Sequence, residues 1–413
     1  MTVPVADSEA AERLPGFLAA FAFRNYRLLW TGAFLSSVGT WTQDVALNWL
    51  IHTRFLDPRY LGFKSFAQEA PLLVFMLLGG AAADRLDRRR ILLGSQVLQM
   101  AFAAALGVLY VTGRLGMAPI LLLAGLTGLA QSQSAPTYQA VITSLVPPRR
   151  IQSAVALNSL QFNLSRAIGP VIAGLLLAWA GTGWCFTVNA LSFLAVIVAL
   201  WRIAIPSPNL AGQETLRKSL AAGLGHVRAS PQLFVLMLLA GSASFLVFPL
   251  LTYLPLIASE QLGSGARGYS QLLSSFGIGA IAGAIVTAQR GPAAGRGRVL
   301  LGAFTLFGLA TLGAVFSRQQ LLAMALLLVS GFCSVSAFSI LNSLVQENAP
   351  DALRGRVVSI YGLAFRGGMP LGSVVAGFFI KAWGAPPVIA VFMVLLILLA
   401  WGSYWRHAPL RAL

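Results

Sequence analysis

Long apolar stretches fill this chain of 413 residues almost from end to end, with short polar segments between them. A helix needs about 20 apolar residues to cross a bilayer core of about 30 Å. Stretches of about this length are residues 28–53, 64–84, 91–112, 117–144, 152–179, 184–203, 231–258, 268–288, 299–317, 320–346, 355–380 and 386–405. Backbone groups in lipid must bond within their own segment, so the pattern predicts an all-α membrane protein with 12 transmembrane helices.

The longest polar connection, residues 204–230, divides the chain at its middle. Within it, four apolar residues recur at helical spacing: Leu216, Leu220, Leu224 and Val227. This spacing predicts an amphipathic helix on the cytoplasmic face of the membrane, and a plain linker is the alternative. The other predicted segments are a cytoplasmic N-terminal segment (1–27), two six-helix bundles (28–203 and 231–405) and a cytoplasmic tail (406–413).

An internal repeat supports two pseudo-symmetric bundles. An offset of 203 residues carries Pro147, Val155, Gly169, Ala173 and Gly174 onto Pro350, Val358, Gly372, Ala376 and Gly377. The matches are sparse, but they fall at equivalent points of the fifth and eleventh predicted spans. We therefore expect two homologous halves, an arrangement typical of carriers.

Composition supports a membrane protein, since 57% of residues are hydrophobic and only 10% are charged. The net charge of +17 could suggest nucleic acid, but most of the 29 Lys and Arg residues fall in segments that are cytoplasmic if the N-terminus is. That bias orients membrane helices, so we expect no nucleic-acid partner and cytoplasmic termini. The acidic start (Asp7, Glu9, Glu12) is unlike a signal peptide. The two cysteines lie in separate apolar spans and the three histidines are far apart, so we expect neither a disulfide nor a metal site.

The first span carries a polar stripe in which Ser36, Thr40, Asp44 and Asn48 recur every four residues, with Gln43 beside it. A charge at the centre of a membrane helix costs about 2.5–3.5 kcal/mol, so such residues usually face a wet cavity. Asp44 is a candidate for proton coupling or substrate binding, and a static ion pair between two helices is the alternative.

Arg166 lies mid-membrane in the fifth span, on one face with Asn158, Phe162 and Gly169. Because Arg keeps its charge, it requires an anion, carbonyl groups or water. Counting residues from the outer ends places Asp44 and Arg166 within about one and a half helical turns. We therefore predict that the two side chains interact, directly or through water.

Arg366 is the matching cation of the eleventh span. It is a candidate for attracting an anionic group of a substrate, and pairing with helix carbonyls near Pro370 is the alternative. Glu69, predicted one turn inside the second span, is a candidate second proton site or outer gate residue, and a solvated rim residue is the alternative. Uncharged polar stripes also line cavities or join helices. The predicted cavity residues are Thr40, Gln43, Asn158, Phe162, Ser132, Gln139, Ser339, Ser343 and Arg366.

The loop after the second span resembles the conserved loop motif of the major facilitator superfamily. It runs Gly80-x-x-x-Asp84-Arg85-x-Asp87-Arg88-Arg89-Arg90, with Asp87 where most of the superfamily has Gly. The resemblance implies an inner gate motif of Gly80, Asp84, Arg85, Arg88 and Arg89. In the fifth span, Gly169-Pro170-x-x-Ala173-Gly174 resembles the antiporter motif of drug–proton exporters, with Ala173 in place of one Gly. Gly169, Pro170 and Gly174 would then shape closure of the outer cavity.

A wider set of motifs is similar to the enterobactin-exporter-like branch of this superfamily. The set includes Phe23-Arg24-Asn25-Tyr26, Gly39-Thr40-Trp41, Asn189-Ala190-Leu191-Ser192-Phe193 and Arg366-Gly367-Gly368-Met369-Pro370. It implies the major facilitator fold and proton-driven efflux of a siderophore-like or drug-like amphipathic compound across a bacterial inner membrane.

We therefore expect a multi-pass, monomeric secondary transporter, with lipid, protons and a small-molecule substrate as its partners. The proton gradient would supply the energy, and no cofactor is expected. A facilitator or importer, including a lysophospholipid-type carrier, is one alternative, and a transport-inactive membrane partner is another. An enzyme is not expected, because no His, Cys or carboxylate cluster has catalytic spacing.

Overall fold

The computed structural model describes residues 16–83, 87–205, 216–290, 295–351 and 353–406. For residues 76–83, 216–222 and 290 the description is of the backbone alone. The described chain is built from helices. A short 3-10 helix, Gly16–Ala22, precedes the first long one.

Six long helices make up the first half of the sequence. They are α1 (Arg24–Phe55), α2 (Arg59–Ala83), α3 (Arg88–Val111), α4 (Met117–Ser144), α5 (Ile151–Trp179) and α6 (Thr182–Arg202). Helix α1 begins four residues before its predicted span. Helix α2 begins five residues before its predicted span, because the turn that precedes it is confined to residues 56–58. The other four begin within three residues of their predicted spans.

The second half begins with α7 (Leu216–Ala229), which lies where the apolar spacing predicts an amphipathic helix. Six further helices follow: α8 (Pro231–Val247), α9 (Ala266–Arg290), α10 (Arg296–Phe316), α11 (Gln320–Glu347), α12 (Arg354–Trp383) and α13 (Ala385–Arg406). Nine helices of the described chain are long and apolar enough to cross a membrane. Helices α1, α2 and α4 are also long, at 32, 25 and 28 residues.

The predicted span 231–258 is not one continuous helix. Helix α8 ends at Val247 and is followed by the short turns Pro249–Thr252 and Leu254–Leu256, and then by a π-helical turn, Ile257–Gln261. Proline cannot donate a backbone hydrogen bond, so Pro249 and Pro255 each interrupt the helical ladder. The wider turn closes where the Leu262 amide donates to the Ile257 carbonyl at 3.3 Å. Such turns are frequent at functional sites.

The chain divides into two compact units. Unit 1 holds residues 1–47 and 74–212, and unit 2 holds residues 48–73 and 213–413. The second part of α1 and the first part of α2 therefore pack with the helices of the second half of the sequence. The predicted bundles, 28–203 and 231–405, are continuous segments of the sequence. The units are defined by packing, so residues 48–73 of the first predicted bundle belong to unit 2.

In unit 1 the core lies where the start of α1 meets α5 and α6. Tyr26 donates through its hydroxyl to the Ala154 carbonyl at 2.9 Å, and the Trp30 indole donates to the Leu157 carbonyl at 2.9 Å. The Ser153 hydroxyl fixes the 3-10 helix by accepting from the Ala20 amide and donating to the Phe17 carbonyl. The Phe23-to-Tyr26 motif therefore joins α1 to the beginning of α5.

In unit 2, α9 packs against α11, and α12 packs against α8. Gly279 and Gly283 of α9 lie against the backbone of Leu328 and Phe332, where a side chain would collide. These two glycines form the small-residue contact that lets membrane helices approach closely.

Candidate functional site

In unit 1, α1 and α5 cross close to Arg166. Thr42 donates through its hydroxyl to the Gly169 carbonyl at 3.1 Å, so the two helices touch at Gly169. A methyl group at Gly169 would collide with Trp41. The first glycine of the antiporter-like motif is thus a point of close helix contact, and Pro170 and Gly174 follow it inside α5, both buried.

Arg166 is held at this crossing beneath an aromatic ring. Its guanidinium carbon lies 5.8 Å from the centroid of the Trp41 ring, and the residue is only 9% exposed. A cation over an indole face is attracted by the negative charge density of the ring, more strongly where water is excluded. Phe162, one turn earlier on α5, sets its ring edge-on to Trp41 at 6.2 Å and is 53% exposed.

Asp44 lies three residues beyond Trp41 on α1, nearly one helical turn, and is half-buried. It is 11 residues from the end of α1, and Arg166 is 13 residues from the end of α5, which matches their depths to within about 3 Å. The contact between α1 and α5 near Gly169 is compatible with an interaction of Asp44 with Arg166. That interaction stays a prediction.

A polar network joins α1 to α6 on another side of α1. The Asn189 amide donates to the Gln43 side-chain oxygen at 2.9 Å, and the Thr40 hydroxyl lies 3.4 Å from the Asn189 oxygen. Asn189 is almost fully buried. Two predicted cavity residues, Thr40 and Gln43, are therefore tied to a neighbouring helix. The sequence showed Asn189 only as part of a family motif, although an amide inside an apolar span was itself an indication.

The other predicted cavity residues differ in exposure. Ser132 is fully buried and donates to the Leu129 carbonyl at 2.7 Å, which places it within helix packing. Gln139 is exposed, and Asn158, Ser339 and Ser343 are partly exposed. Their role as cavity residues therefore stays a prediction.

A charge pair that the sequence did not predict forms in unit 2. Arg366 Nη1 lies 4.0 Å from Glu69 Oε2, and the side chains are 42% and 24% exposed. Helix α2 begins at Arg59, so Glu69 lies ten residues along it, about 15 Å from its start. Arg366 lies twelve residues along α12, about 18 Å from its start. Both groups are thus near the middle of their helices.

An aromatic cluster surrounds Phe365, the residue next to Arg366 in the sequence. Phe365, the neighbour of Arg366 on α12, has its ring 4.9 Å from that of Phe338 on α11 and 5.6 Å from that of Phe248 at the end of α8. Tyr361 stacks on Phe365 at 6.1 Å from one turn below. Phe248, Phe338 and Phe365 are each partly exposed. We call these three rings together with Tyr361 the aromatic cluster.

The turn between α1 and α2 is bound to α12 by a second ionic contact. The Asp57 carboxylate accepts from Arg59 Nη2 at 2.7 Å and from Lys381 Nζ at 2.9 Å. The hydrogen bond from Arg59 is the main cause that holds the pKa of Asp57 well below its ordinary value. Below it, Gly62 fits against the Ser373 carbonyl and the Tyr253 hydroxyl. We call Asp57, Arg59 and Lys381 the turn contact.

A polar and aromatic contact accompanies the turn contact in unit 2. His52 Nε2 lies 2.7 Å from the Ser259 hydroxyl, which belongs to the π-helical turn. The Trp49 ring stacks on that of Tyr269 at 6.0 Å. None of these contacts was apparent in the sequence, because each joins residues about 200 or more positions apart.

The predicted inner gate motif is described only in part. Asp84 and Arg85 lie outside the described residues, and Gly80 is known only as a backbone position of α2. Asp87 caps α3 by accepting from the Arg89 amide at 2.9 Å. The Arg89 side chain donates to the carbonyls of Leu200, Trp201 and Ile203 at the end of α6. The residue that replaces the usual Gly is thus a helix cap, and Arg89 closes the end of α6 within unit 1.

Comparison with known proteins identifies the family and the fold of this chain. Residues 16–409 match the family model described as transmembrane secretion effector, and the chain belongs to that family of the major facilitator superfamily. The solved structure of a D-xylose–proton symporter superposes with a TM-score of 0.73 at 14% identity, covering 91% of this chain and 97% of that one. This likeness shows the fold.

Three curated relatives are similar over most of their length. The staphyloferrin A transporter of Staphylococcus aureus is 25% identical, over 93% of this chain and 97% of the relative. The multidrug efflux pump Tap of Mycolicibacterium fortuitum is 28% identical, over 85% and 88%. The enterobactin exporter EntS of Escherichia coli is 24% identical, over 81% and 80%. The predicted resemblance to siderophore and drug exporters is therefore confirmed.

Proposed function

We propose that this protein is a secondary active transporter that exports a small amphipathic compound in exchange for protons. The observation that carries the proposal is the Glu69–Arg366 pair, 4.0 Å apart, mid-helix and partly exposed. A carboxylate and a guanidinium at such depth are costly to keep in a membrane protein and usually belong to a transport path. Relatives named as a multidrug efflux pump and an enterobactin exporter support the direction of transport.

The Glu69–Arg366 pair links proton binding to substrate binding. While Glu69 is ionised, its charge offsets that of Arg366. Protonation of Glu69 removes this charge and leaves Arg366 attractive to an anionic group of the substrate. The two equilibria are linked, so each ligand changes the affinity for the other by the same factor. This link alone would favour proton and anion bound together, so exchange is assigned to the second pair.

Asp44 and Arg166 form the second proposed coupling pair. Arg166 is buried under Trp41, so a change of charge at Asp44 would be felt strongly in its low-dielectric setting. Protonation of Asp44 would weaken an attraction between α1 and α5, at the level where these helices touch at Gly169. The proposed role of this pair is therefore to couple protonation to helix movement.

The proposed setting is a bacterial inner membrane, with a monomer whose twelve long helices all cross and whose termini are cytoplasmic. The distribution of Lys and Arg supports this orientation. The proton gradient is the proposed energy source, with no cofactor and no nucleic-acid partner. The inner gate role of Gly80, Asp84, Arg85, Arg88 and Arg89 remains part of the proposal.

Everted membrane vesicles carrying the full-length protein test the exchange. A panel of fluorescent amphipathic dyes, with ethidium and dansyl-labelled anions among them, is offered with an imposed pH gradient, with and without a protonophore. We expect protein-dependent accumulation that collapses when the gradient is removed and falls to background in Glu69→Gln. Uptake that equilibrates the dye without accumulation, and is the same with and without the gradient, would indicate a facilitator. Folded protein that moves none of the panel would favour the transport-inactive alternative.

A further inference from the structure

Beside Arg366 the surface of α12 offers a cation and aromatic rings separated by a position without a side chain. Gly362 precedes Phe365 by three residues and Arg366 by four, so it shares a helix face with each. Phe365 and Arg366, being adjacent, point about 100° apart around the helix. A flat group lying over Gly362 would therefore meet the guanidinium on one side and the Phe365 ring on the other.

The guanidinium is available for such a group. Its distance of 4.0 Å to Glu69 Oε2 is longer than a charge-assisted hydrogen bond, which is about 2.7–2.9 Å. The planar fork of Arg matches a carboxylate, sulfonate or phosphate through paired hydrogen bonds. At 42% exposure, Arg366 can be approached without unfolding the unit.

The aromatic cluster supplies the apolar part of the site. Its rings come from three elements: Phe365 and Tyr361 from α12, Phe338 from α11 and Phe248 from the end of α8. The rings of Phe248, Phe338 and Phe365 retain exposed surface. Aromatic pairs with centroids 4.5–7 Å apart are favourable in edge-to-face or offset arrangements, so this cluster can extend its packing to one more ring.

A related combination of residues occurs in unit 1. The offset of 203 residues carries Phe162 onto Phe365, although it carries Arg166 onto Met369 and not onto Arg366. Trp41 lies 6.2 Å from Phe162 and 5.8 Å from the Arg166 guanidinium carbon. An aromatic ring can therefore contact a Phe and an Arg of one helix of this fold at the same time.

We infer that the substrate class of this transporter is aromatic anions, held by Arg366 through the acid group and by the aromatic cluster through the ring. This inference rests on the transport function proposed above and narrows it to compounds with a flat ring and an acid group within a few bonds of each other.

Binding to the full-length protein in detergent tests the inference separately from proton exchange. Three probes divide the chemistry: naphthalenesulfonate has both ring and charge, naphthalenesulfonamide has the ring without the charge, and cyclohexanesulfonate has the charge without aromaticity. We expect saturable binding of naphthalenesulfonate and weaker binding of the other two. The sulfonate stays ionised at all working pH values, so its binding does not depend on its own protonation.

Variants assign the two halves of the site. Arg366→Gln should weaken naphthalenesulfonate binding by at least about tenfold, as loss of a charged hydrogen bond does, and leave the sulfonamide within about twofold. Phe365→Leu should weaken the aromatic probes by about two- to tenfold, without changing cyclohexanesulfonate. Phe379→Leu on the same helix, stacked on Trp383 away from the cluster, is the matched control and should change nothing.

Glu69→Gln provides a test that misfolding cannot imitate, because it should tighten naphthalenesulfonate binding by more than about threefold through loss of a competing charge. Equal affinity for all three probes, absence of saturable binding, or equal effects of Phe365→Leu and Phe379→Leu would overturn the inference. If the wild-type protein shows this binding pattern but no pH-driven transport, the exchange mechanism is overturned and the inferred substrate class stands.

Discussion

At the residue scale, the two mid-helix arginines Arg166 and Arg366 are balanced in two different ways. Arg166 is covered by the Trp41 face and is nearly inaccessible, whereas Arg366 has Glu69 at 4.0 Å and remains partly exposed. Burial raises the cost of an unbalanced charge, so Arg166 depends strongly on its surroundings. The more exposed Arg366 can exchange partners at lower cost. The two cations therefore suit different tasks, coupling and recognition.

Asp44→Asn should abolish pH-driven transport, because the amide keeps the shape of the carboxyl but cannot carry a proton in exchange. Proteoliposomes with an imposed pH gradient measure this loss. Asp351→Asn is the matched control, since Asp351 is 89% exposed and contacts Arg354 at a helix start. Full activity in Asp44→Asn would remove Asp44 from the coupling scheme.

At the element scale, close helix contacts depend on single small residues. Gly169 lets α5 touch α1 at the level of Arg166, and its position within the antiporter-like motif links that motif to the crossing. The motif was identified from resemblance, but its contact with Trp41 could not be read from the sequence, because helix spacing gives a face and not the partner of that face.

Gly169→Ala should lower the stability of the protein by about 1–3 kcal/mol, the usual cost of forcing an extra carbon into a filled site. Thermal unfolding in detergent measures the change. Gly302→Ala on α10 is the matched control, because nothing lies within 4 Å of that position. Its greater helix propensity should leave the melting temperature unchanged or higher. A Gly169→Ala protein as stable as the control would contradict the tight crossing.

The turn contact should lose its stabilising effect in acid. Because Arg59 and Lys381 lower the pKa of Asp57 in the folded state, the carboxylate stabilises the fold at a pH above its unfolded pKa of about 3.9. The stabilisation falls as acid protonates the folded protein. Asp57→Asn should therefore lower the melting temperature at neutral pH, and the difference from wild type should shrink toward pH 3. A difference that stays constant across this range would exclude the ionic contribution.

At the scale of the whole molecule, hydrophobic patterning predicted the helices well and their grouping less well. Span 117–144 coincides with α4 residue for residue. The resemblance of the sequence motifs anticipated the family. The break after Val247 was missed, because apolar composition continues through Pro249 and Pro255. Pairs such as Glu69–Arg366 and Asp57–Lys381 were missed because their partners lie about 300 residues apart, and one sequence contains no information on such distances.

Reporter fusions should show the predicted orientation. Basic residues that flank cytoplasmic helix ends resist translocation, so a fluorescent protein fused after Leu413 should fold and fluoresce. Alkaline phosphatase inserted in the turn at 112–116 should be active, because that turn is predicted to lie outside. The reverse pattern of the two reporters would contradict cytoplasmic termini.

The assignment of residues 48–73 to unit 2 has a consequence for how the polypeptide can be divided. A gene split within 206–215 would yield two fragments, the second of which lacks the hairpin that supplies Asp57 to Lys381 and Gly62 to Tyr253. Expressed alone, that fragment should be degraded rapidly by membrane proteases. Co-expression of the first fragment should restore the abundance of the second, because the first fragment carries residues 48–73, which pack in unit 2.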